Sequence, residues 1–336
     1  MHAIYNYSTK LMTIATIDDI NQLIADDMDK LNACIQQRLQ SEVVLINQIG
    51  SHIINSGGKR LRPIIHLLSA KALAYEGSQH VDLSAIIEFI HTATLLHDDV
   101  VDNSDLRRGE DTANALWGNA ASVLVGDFLY SRAFEMMVEI DRMPIMAILS
   151  KATNTIAEGE VLQLLNCHDP DTTEERYLEV IHNKTAKLFE SASELAAVIC
   201  DRPAEEQKAM AKYGMHLGCA FQLIDDVLDY TSSAEDMGKN LGDDLAEGKP
   251  TLPLIYAMRK GSNEQSELIR KAIEEDGLEN IDEIFKVIND TGAIDYTSKC
   301  AEKESQLAIE AIQKLQDSPY KDALVFLAKF SVKRSH

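Results

Sequence analysis

Two aspartate clusters with the same spacing hold the residues of this chain that are best suited to chemistry. The first has the sequence LHDDVVD at residues 96–102, and the second has the sequence LIDDVLD at residues 223–229. On a helix, the first and last aspartates of each DDxxD motif lie on one face, because they are four residues apart. Like charges at this spacing destabilise a helix, and near its C-terminal end they also oppose the helix dipole. A cation is therefore expected beside each cluster.

Paired carboxylates of this kind predict a magnesium site. Mg²⁺ usually binds one or two carboxylates together with phosphate oxygens and water. Two facing clusters could therefore hold one diphosphate group from both sides. The alternative for either cluster alone is a solvated acidic helix end, and it is weakened because both clusters close an apolar helical run.

Basic residues are concentrated at two places in an otherwise acidic chain. The run GGKRLRP at residues 57–63 puts three cations in a turn that two glycines open, and Arg107 and Arg108 follow the first aspartate cluster. Backbone amides in such a turn can approach an anion, and guanidinium groups suit phosphate oxygens. We expect both places to bind phosphate rather than to carry solvated surface charges.

Further polar residues lie inside apolar helical runs. His91 comes seven residues, or about two helical turns, before Asp98, so it shares the face of that aspartate. The segment KTAK at residues 184–187 and Gln222 can project polar groups into the interior of a helical bundle. The loop at 231–249 contains Lys239 and Lys249, and the simplest explanation for both is that they are solvated.

Composition and periodicity predict an all-α protein. The chain has 336 residues, of which 45% are hydrophobic, and only seven prolines and sixteen glycines interrupt residue types that favour helices. Apolar positions recur at intervals of three and four residues. The predicted helices that frame the two clusters are 82–102, 120–140, 171–200 and 204–230. Long polar loops are predicted at 103–112 and 231–249, where function is commonly located.

Two of these helices have predicted start signals. Asp171 and Glu174 have the spacing of a capping box, in which the first side chain caps the helix and the second returns the hydrogen bond. Asp201 and Pro203 fit a cap and a first turn before the helix at 204–230.

Charge and cysteine usage exclude several classes of protein. The net charge is −22, with 54 acidic and 32 basic residues, so the overall field repels nucleic acid and anionic membranes. The five cysteines have no metal-binding spacing, which indicates reduced thiols. No segment has the form of a signal peptide or the roughly 18 apolar residues of a membrane span. We therefore predict a cytoplasmic protein with no nucleic-acid partner and no transmembrane segment.

Seven ordered phrases resemble the trans-prenyl diphosphate synthases, a family of polyprenyl synthetases, and most closely the bacterial octaprenyl diphosphate synthases. The phrases are GGKRLRP at 57–63, EFIHTATLLHDDVVD at 88–102, GNAASVLVGDFLYSRAF at 118–134, AEGEVLQL at 157–164, NKTAKLFE at 183–190, FQLIDDVLD at 221–229 and GKNLGDDLAEGKPTLPL at 238–254. The resemblance starts near residue 17. We therefore predict a poorly ordered extension at 1–16 and one synthase domain at 17–336.

The resemblance implies an enzyme, a polyprenyl transferase, with a single-domain helical bundle of the isoprenoid synthase type around a central active-site cavity. The implied reaction is the addition of isopentenyl diphosphate units to an allylic diphosphate such as farnesyl diphosphate, through ionisation, condensation and proton loss. The implied product is octaprenyl diphosphate for quinone side chains, including that of ubiquinone. The implied partner is a second copy of the chain in a homodimer.

The resemblance also assigns roles to residues, position by position. Isopentenyl diphosphate would be held by Lys59, Arg62, His91 and Arg108. The allylic diphosphate would be contacted by Arg107, Lys184, Thr185, Gln222 and Lys239. Two or three Mg²⁺ ions would be bound by Asp98, Asp102 and Asp225. The catalytic set would comprise Asp98, Asp99, Asp102, Arg107, Lys184, Asp225 and Asp226, with Asp99, Asp226 and Asp229 acting through metal-bound water or by supporting the ligands.

Product length is predicted to depend on residues deeper in the bundle than the first cluster. Ala93 and Thr94 lie about one helical turn before Asp98, where an aromatic side chain would block a growing hydrocarbon. Because both are small, a tunnel should continue past them. Phe134, Met136 and Met137 are candidates for its wall or floor, and ordinary core packing explains them equally well.

Three other classes of function are considered. Glu88 and His91, like Glu179 and His182, form an ExxH pair, and helical di-iron proteins use two such pairs. That hypothesis leaves both aspartate clusters and the basic turn unexplained. A non-catalytic partner subunit would be expected to lack the first cluster or the basic turn, and a terpene cyclase would not need a second substrate site. A prenyl synthase with a shorter or longer product also remains an alternative.

Overall fold

Helices dominate the part of the chain that the computed structural model describes, which is residues 14–55, 58–107, 109–231, 242–275 and 280–333. The all-α fold predicted from the sequence is confirmed. The helices in chain order are α1 Ile17–Leu23, α2 Ala25–Leu39, α3 Val44–Asn55, α4 Leu61–Ala72, α5 Gln79–Val101, α6 Ala113–Trp117, α7 Asn119–Ile140, α8 Met143–Asn166, α9 Glu174–Val180, α10 Lys187–Ile199, α11 Ala204–Thr231, α12 Asp243–Ala246, α13 Leu252–Lys260, α14 Asn263–Glu274, α15 Ile281–Asp290, α16 Ala293–Ala311 and α17 Pro319–Ser331.

Two helices at the centre of the bundle carry the aspartate clusters. Helix α5 packs against α2, α4 and α7, and α11 packs against α10 and α16. Glycines allow α11 to approach its neighbours closely. A Cβ atom at Gly214 would lie 2.2 Å from the carbonyl oxygen of Phe189, and one at Gly218 would lie 2.6 Å from the Cα of Ala186. Substitution of either glycine would push α11 away from the segment that carries Lys184.

A π-helical segment, Ile181–Ala186, joins α9 to α10. The sequence predicted one continuous α-helix over 171–200, and the structure corrects this prediction. Wider π turns inside helices are frequent at functional sites. Here the π turn lies against α8, where a Cβ at Gly159 would come within 2.6 Å of the backbone nitrogen of Lys184. It fixes the position of two predicted site residues, Lys184 and Thr185.

Both predicted helix starts are wrong in detail. The cap of α9 is Thr173, whose hydroxyl accepts a hydrogen bond from the Arg176 backbone at 3.3 Å. Asp171 instead forms an ion pair with Arg270 at 2.6 Å. Asp201 has a left-handed backbone with a φ of 50°. It forms an ion pair with Arg142 rather than capping α11.

The loop predicted at 103–112 contains a short antiparallel ribbon. Its strands are β1, Leu106–Arg107, and β2, Glu110–Asp111. The ribbon is pinned beneath the end of α5, because the Thr112 hydroxyl donates to the Ser104 carbonyl at 2.7 Å. It therefore holds Arg107 beside the first aspartate cluster.

The first described helix, α1, begins at Ile17, and Thr16 forms a capping box with Asp19. The predicted division into an extension at 1–16 and a synthase domain at 17–336 stays a prediction. The poor order predicted for residues 1–16 concerns mostly residues 1–13, which lie outside the described part of the chain. Within that described part, no helix is both long enough and apolar enough to cross a membrane.

Candidate active site

Two lysines meet the first aspartate cluster at the end of α5. The Lys184 Nζ lies 3.7 Å from the Asp98 Oδ2, and the Lys249 Nζ lies 3.2 Å from the Asp102 Oδ2. Lys184 comes from the π segment, and Lys249 comes from the loop between α12 and α13. The four side chains are 16–18% exposed. The cation expected beside this cluster is therefore supplied in part by side chains from distant parts of the sequence.

More carboxylates surround these lysines than the lysines can neutralise. Lys184 Nζ lies 2.6 Å from the Glu160 Oε2, and Lys249 also contacts Glu247. Burial raises the pKa of the Asp98 carboxyl; Lys184 opposes this shift, and Asp102 adds to it. Burial likewise raises the pKa of Glu160 to about 7 despite the neighbouring Lys184. The site therefore holds a local excess of poorly solvated negative charge.

The second aspartate of the first cluster has a different role from its neighbours. Asp99 is fully buried, and its Oδ1 accepts from the Arg107 Nε at 2.8 Å and from Nη2 at 2.6 Å. Asn114 donates to the Asp99 carbonyl at 3.2 Å. Asp99 therefore orients Arg107, which the resemblance places at the allylic diphosphate.

Neutral groups hold the second cluster. Asp226 is 2% exposed, and its two oxygens accept from the Tyr177 hydroxyl and, at 2.9 Å, from the Gln222 Nε2. Thr185 in turn donates to the Gln222 Oε1 at 3.0 Å. Burial and the nearby Asp244 raise the pKa of Asp226 to about 8. Three predicted site residues, Thr185, Gln222 and Asp226, thus form one hydrogen-bonded row.

The remaining aspartates of the second cluster, Asp225 and Asp229, differ in burial. Asp229 is buried, and its Oδ2 accepts from the Asp244 backbone nitrogen at 3.3 Å. Burial and the same Asp244 raise the pKa of Asp229 to about 8. Asp225 is half-buried.

A cavity of about 250 Å³ joins the two regions. The side chains on its wall that bear on the site are Arg107, Lys184, Thr185, Gln222, Asp226 and Lys249. Lys184 and Lys249 reach from this wall to the first cluster, while Asp226 belongs to the second. Asp226 is the one aspartate of the two clusters on this wall, and the first cluster is linked to the cavity through its contacts with Lys184 and Lys249.

Two of the residues predicted to bind isopentenyl diphosphate, Arg62 and His91, contact each other in the structure. Arg62 Nη1 donates to the His91 Nε2 at 3.1 Å, and its guanidinium lies 4.4 Å from the centre of the Phe189 ring. Because arginine can only donate, the His91 Nε2 is the acceptor in this hydrogen bond. Lys59 is exposed at the start of α4. Arg60, rather than a glycine, adopts the left-handed backbone there, with a φ of 45°.

Two predicted site residues cannot be placed. Arg108, assigned to isopentenyl diphosphate, and Lys239, assigned to the allylic diphosphate, both lie outside the described residues. Their assignments stay predictions, as do the other residue roles that the resemblance implies.

The residues predicted to set product length fall into two groups. Ala93 is fully buried, Thr94 is half-buried and donates to the His91 carbonyl at 2.7 Å, and Met136 and Met137 are each 1% exposed. Phe134 is 36% exposed on the outer side of α7. The position of Phe134 therefore gives no support to a role in the wall of an internal tunnel.

Four residues that contribute to the site were missed by sequence reasoning. Tyr177 lies outside the seven phrases, whereas Glu160 lies inside AEGEVLQL and Asp244 inside GKNLGDDLAEGKPTLPL without a role assigned to either. Lys249 was interpreted as a solvated loop lysine, and that interpretation is wrong, since it pairs with Asp102. A lysine inside the phrase GKPTLPL, next to a predicted diphosphate site, was the available signal.

The di-iron hypothesis is not supported. Glu179 and His182, which would form the second ExxH pair, are both exposed at the surface. His91, from the first pair, faces Arg62 instead. Across the described residues, no three histidine, cysteine or acidic side chains converge closely enough to hold an ion by themselves.

The donor set nevertheless fits Mg²⁺ that is shared with a substrate. The first cluster offers oxygen ligands in pairs, and the desolvated carboxylates around it outnumber the lysines. An ion that takes only one or two carboxylates, with the rest of its shell from phosphate and water, does not require three converging side chains.

An all-α bundle with two aspartate-rich helix ends, one contributing to a lysine-lined cavity and the other paired with its lysines, is typical of the class of isoprenoid synthases. Within that class, this chain belongs to the polyprenyl synthetase family, whose model matches residues 43–291. It is accordingly a prenyltransferase.

Known relatives match the chain over nearly its whole length. It is 53% identical to an octaprenyl diphosphate synthase of Escherichia coli over 95% of this chain and 99% of the relative. It is 50% identical to an octaprenyl diphosphate synthase of Haemophilus influenzae over 97% of this chain and 100% of the relative. A solved structure of a polyprenyl synthase from Caulobacter crescentus, complexed with calcium and isoprenyl diphosphate, superposes with a TM-score of 0.92 at 43% identity, covering 96% of this chain and 98% of the other.

Proposed function

We propose that this enzyme is an octaprenyl diphosphate synthase that adds isopentenyl diphosphate units to farnesyl diphosphate for quinone side chains. The two relatives described above, each at least 50% identical, are octaprenyl diphosphate synthases. The observation that carries the proposal is the placement of Lys184, which lines the cavity beside Asp226 and reaches Asp98. A diphosphate in this cavity would meet cationic side chains and metal-binding carboxylates together.

Residues on the cavity wall are proposed to receive the allylic diphosphate. Lys184, Arg107 and Lys249 carry positive charge to the place where charge develops as the carbon–oxygen bond breaks. Asp99 holds Arg107 in position, and hydrogen bonds fix the row from Thr185 to Asp226 in the same cavity wall. Because these groups are held before the substrate binds, little reorganisation is needed during ionisation.

Magnesium is the proposed cofactor, with two or three ions held by Asp98, Asp102 and Asp225. When bound, Mg²⁺ would supply stabilisation of the charge on the departing diphosphate. A related polyprenyl synthase has been crystallised with calcium, which supports a divalent ion at this type of site.

The second substrate, isopentenyl diphosphate, is proposed to bind at the basic turn. Arg62 and His91 are already joined there, and the guanidinium stacks on Phe189. Holding the isopentenyl double bond next to the allylic carbon would supply much of the rate enhancement, since positioning replaces a bimolecular encounter.

Product sizing tests the proposal directly. Purified enzyme would be incubated with Mg²⁺, labelled isopentenyl diphosphate and farnesyl diphosphate, and the dephosphorylated lipid would be separated by chromatography. We expect a forty-carbon product and no turnover after chelation of divalent metal. A heptaprenyl or nonaprenyl product would correct the proposed length, and turnover in metal-free enzyme would refute the mechanism.

Ala93 offers a test of what sets the product length. Ala93→Tyr places an aromatic ring at a fully buried position one turn before Asp98, so we expect products shorter by at least one isoprene unit. Overpacking should cost about 1–3 kcal/mol of stability. Ala323→Tyr, at a fully buried position of α17, is the control for overpacking and should leave product length unchanged. An unchanged product from Ala93→Tyr would remove this residue from the length-determining set.

A homodimer is also proposed. Large apolar side chains lie exposed along α7 and near the end of α8, including Leu124 at 66%, Val138 at 66% and Leu165 at 66%. Burying such residues against a second copy would remove a sizeable apolar area from water. Sedimentation velocity should give a mass of two chains, and a monomer at micromolar concentration would contradict the proposal.

A cytoplasmic location is proposed from the thiols. All five cysteines are free in the structure, as expected in a reducing compartment. Cell fractionation, with the protein recovered in the cytoplasmic fraction, is the corresponding measurement.

A further inference from the structure

Lys184 is shared unequally between two carboxylates. Its Nζ lies 2.6 Å from the Glu160 Oε2 and 3.7 Å from the Asp98 Oδ2. The shorter contact is a charge-assisted hydrogen bond, whereas the longer one is an ion pair without a direct hydrogen bond. Glu160 therefore determines on which side of the site the lysine rests.

The position of Glu160 relative to the π segment is fixed by close packing. Its neighbour Gly159 touches the backbone of that segment, where a Cβ would come 2.6 Å from the Lys184 nitrogen and 2.9 Å from the Asn183 carbonyl carbon. At this point there is no room for a side chain between the backbone of α8 and the backbone of the π segment. The carboxylate of Glu160 is thereby presented to Lys184 at a defined distance.

Lys184 and a metal ion compete for the same oxygen atoms. Asp98 is proposed to bind Mg²⁺, and an ammonium group hydrogen-bonded to its carboxylate would have to be displaced first. A lysine held 3.7 Å away leaves the carboxylate oxygens largely available. Any change that moved Lys184 onto Asp98 would therefore weaken metal binding.

We propose that Glu160 is a positioning residue that draws Lys184 away from Asp98, and so keeps Asp98 open to the divalent ion while the lysine stays beside the cavity. This inference rests on the proposed function, since it assigns Asp98 to the metal. It adds a residue to which the family resemblance gave no role.

The first measurement is metal binding without turnover. Mn²⁺ would be titrated into the full-length protein in the absence of both substrates, and the free ion would be followed by electron paramagnetic resonance. In Glu160→Gln the lysine loses its charged partner and shifts to Asp98, so Mn²⁺ should bind about threefold or more weakly. The Mg²⁺ concentration for half-maximal activity should rise by a similar factor, and kcat at saturating Mg²⁺ should change less.

A double-mutant cycle separates positioning from direct ligation. In a Lys184→Met background no lysine can move onto Asp98, so adding Glu160→Gln should weaken Mn²⁺ binding clearly less than it does in the wild type. Equal losses in both backgrounds would overturn the proposal, because Glu160 would then act on the ion independently of Lys184. Unchanged Mn²⁺ binding in the single variant would also overturn it.

A matched control lies one turn further along the chain. Lys187 Nζ pairs with the Glu190 Oε1 at 2.8 Å, and the exposures of these side chains, 15% and 24%, are close to the 18% and 29% of Lys184 and Glu160. Glu190→Gln should leave Mn²⁺ binding and the Mg²⁺ dependence unchanged. Failure of the proposed function would appear instead as absent prenyl transfer in the wild-type enzyme, which the Mn²⁺ titration does not depend on.

Discussion

The two DDxxD clusters have the same spacing but different surroundings. Around Asp98 and Asp102 the compensating groups are lysine ammonium groups from the π segment and from the loop before α13. Around Asp226 they are neutral donors, namely the Tyr177 hydroxyl and the Gln222 amide. The first cluster balances charge with charge, whereas the carboxylate of Asp226 is satisfied by hydrogen bonds.

Because of this difference, the end of α5 is suited to exchanging one cation for another, whereas Asp226 on α11 is suited to holding its neighbours in place. A lysine that compensates a carboxylate can be replaced by a divalent ion without leaving the carboxylate bare, so the first cluster is suited to exchange. A carboxylate enclosed by fixed neutral donors is part of a rigid wall, and its hydrogen bonds hold Gln222 and, through it, Thr185. Identical motifs therefore do not establish identical roles, because the groups facing them come from elsewhere in the chain.

The largest effect is expected at the first cluster. Asp98→Asn should lower kcat/KM by about 1000-fold, the loss seen when a group that stabilises transition-state charge is removed. Stability without metal should be unchanged or higher, because burial raises the pKa of Asp98 and thus disfavours its charged form in the fold. Steady-state kinetics with labelled isopentenyl diphosphate and thermal unfolding in chelator would measure both.

Glu179→Gln is the control for this variant, since it removes an exposed carboxylate from α9. It should stay within about twofold of wild-type activity, as most surface substitutions are nearly neutral. If Asp98→Asn kept a tenth of the wild-type activity, catalysis would not depend on the first cluster in the way proposed.

A smaller effect is expected from the lysine that partners Asp102. In Lys249→Met the carboxylates of Asp102 and Glu247 lose their cation, and stability without metal should fall by about 1–2 kcal/mol. This is less than for a fully buried pair, because Lys249, Asp102 and Glu247 are 16%, 18% and 25% exposed. Mg²⁺ should restore part of the loss, since it can take over the missing positive charge.

Lys71→Met is the matched control for this restoration. Lys71 pairs at 2.9 Å with Asp27, a carboxylate buried far from the two clusters in the sequence. This variant should also lose stability in a chemical denaturation experiment, but Mg²⁺ should not recover it. Equal recovery in both variants would mean that the metal acts through general ionic effects.

The sequence predicted the helices and the aspartate clusters at their ends better than it predicted the contacts between them. The helix over 120–140 was placed within one residue of α7, because a strong apolar period ends at clear polar breaks. The π turn was missed, since nothing in the sequence NKTAK distinguishes five-residue from four-residue hydrogen bonding. Its position depends on the tight contact with Gly159, which joins parts of the chain that a periodicity argument treats separately.

The same limit applies to the residues of the site. DDxxD predicts paired carboxylates, but the motif cannot say that Asp99 faces inward to hold Arg107. Tyr177 and Glu160 belong to no spacing pattern that marks a site, so their roles follow only from the packing of α8 and α9 against the π segment. The phrase GKPTLPL marks Lys249 as a candidate, but nothing local in the sequence identifies Asp102 as its partner.

The smallest effect is expected at the second cluster, in Tyr177→Phe. The hydroxyl of this 7% exposed side chain donates to Asp226, and its loss should cost about 1 kcal/mol of stability. Tyr213→Phe is the control, because the fully buried Tyr213 hydroxyl donates at 2.9 Å to a carbonyl, that of Leu324, outside the site.

Comparison of these two tyrosine variants tests whether the second cluster acts as a positioning wall. Both should lose similar stability in urea unfolding, but Tyr177→Phe alone should also lose about three- to tenfold in kcat/KM, equivalent to roughly 1 kcal/mol of transition-state stabilisation. The loss should be independent of Mg²⁺ concentration, because Tyr177 holds the row that ends at Thr185 and not the ligands of the first cluster. A loss that high Mg²⁺ reversed would instead place Asp226 in metal binding beside Asp225, and the row from Thr185 to Asp226 would then not act as a positioning wall.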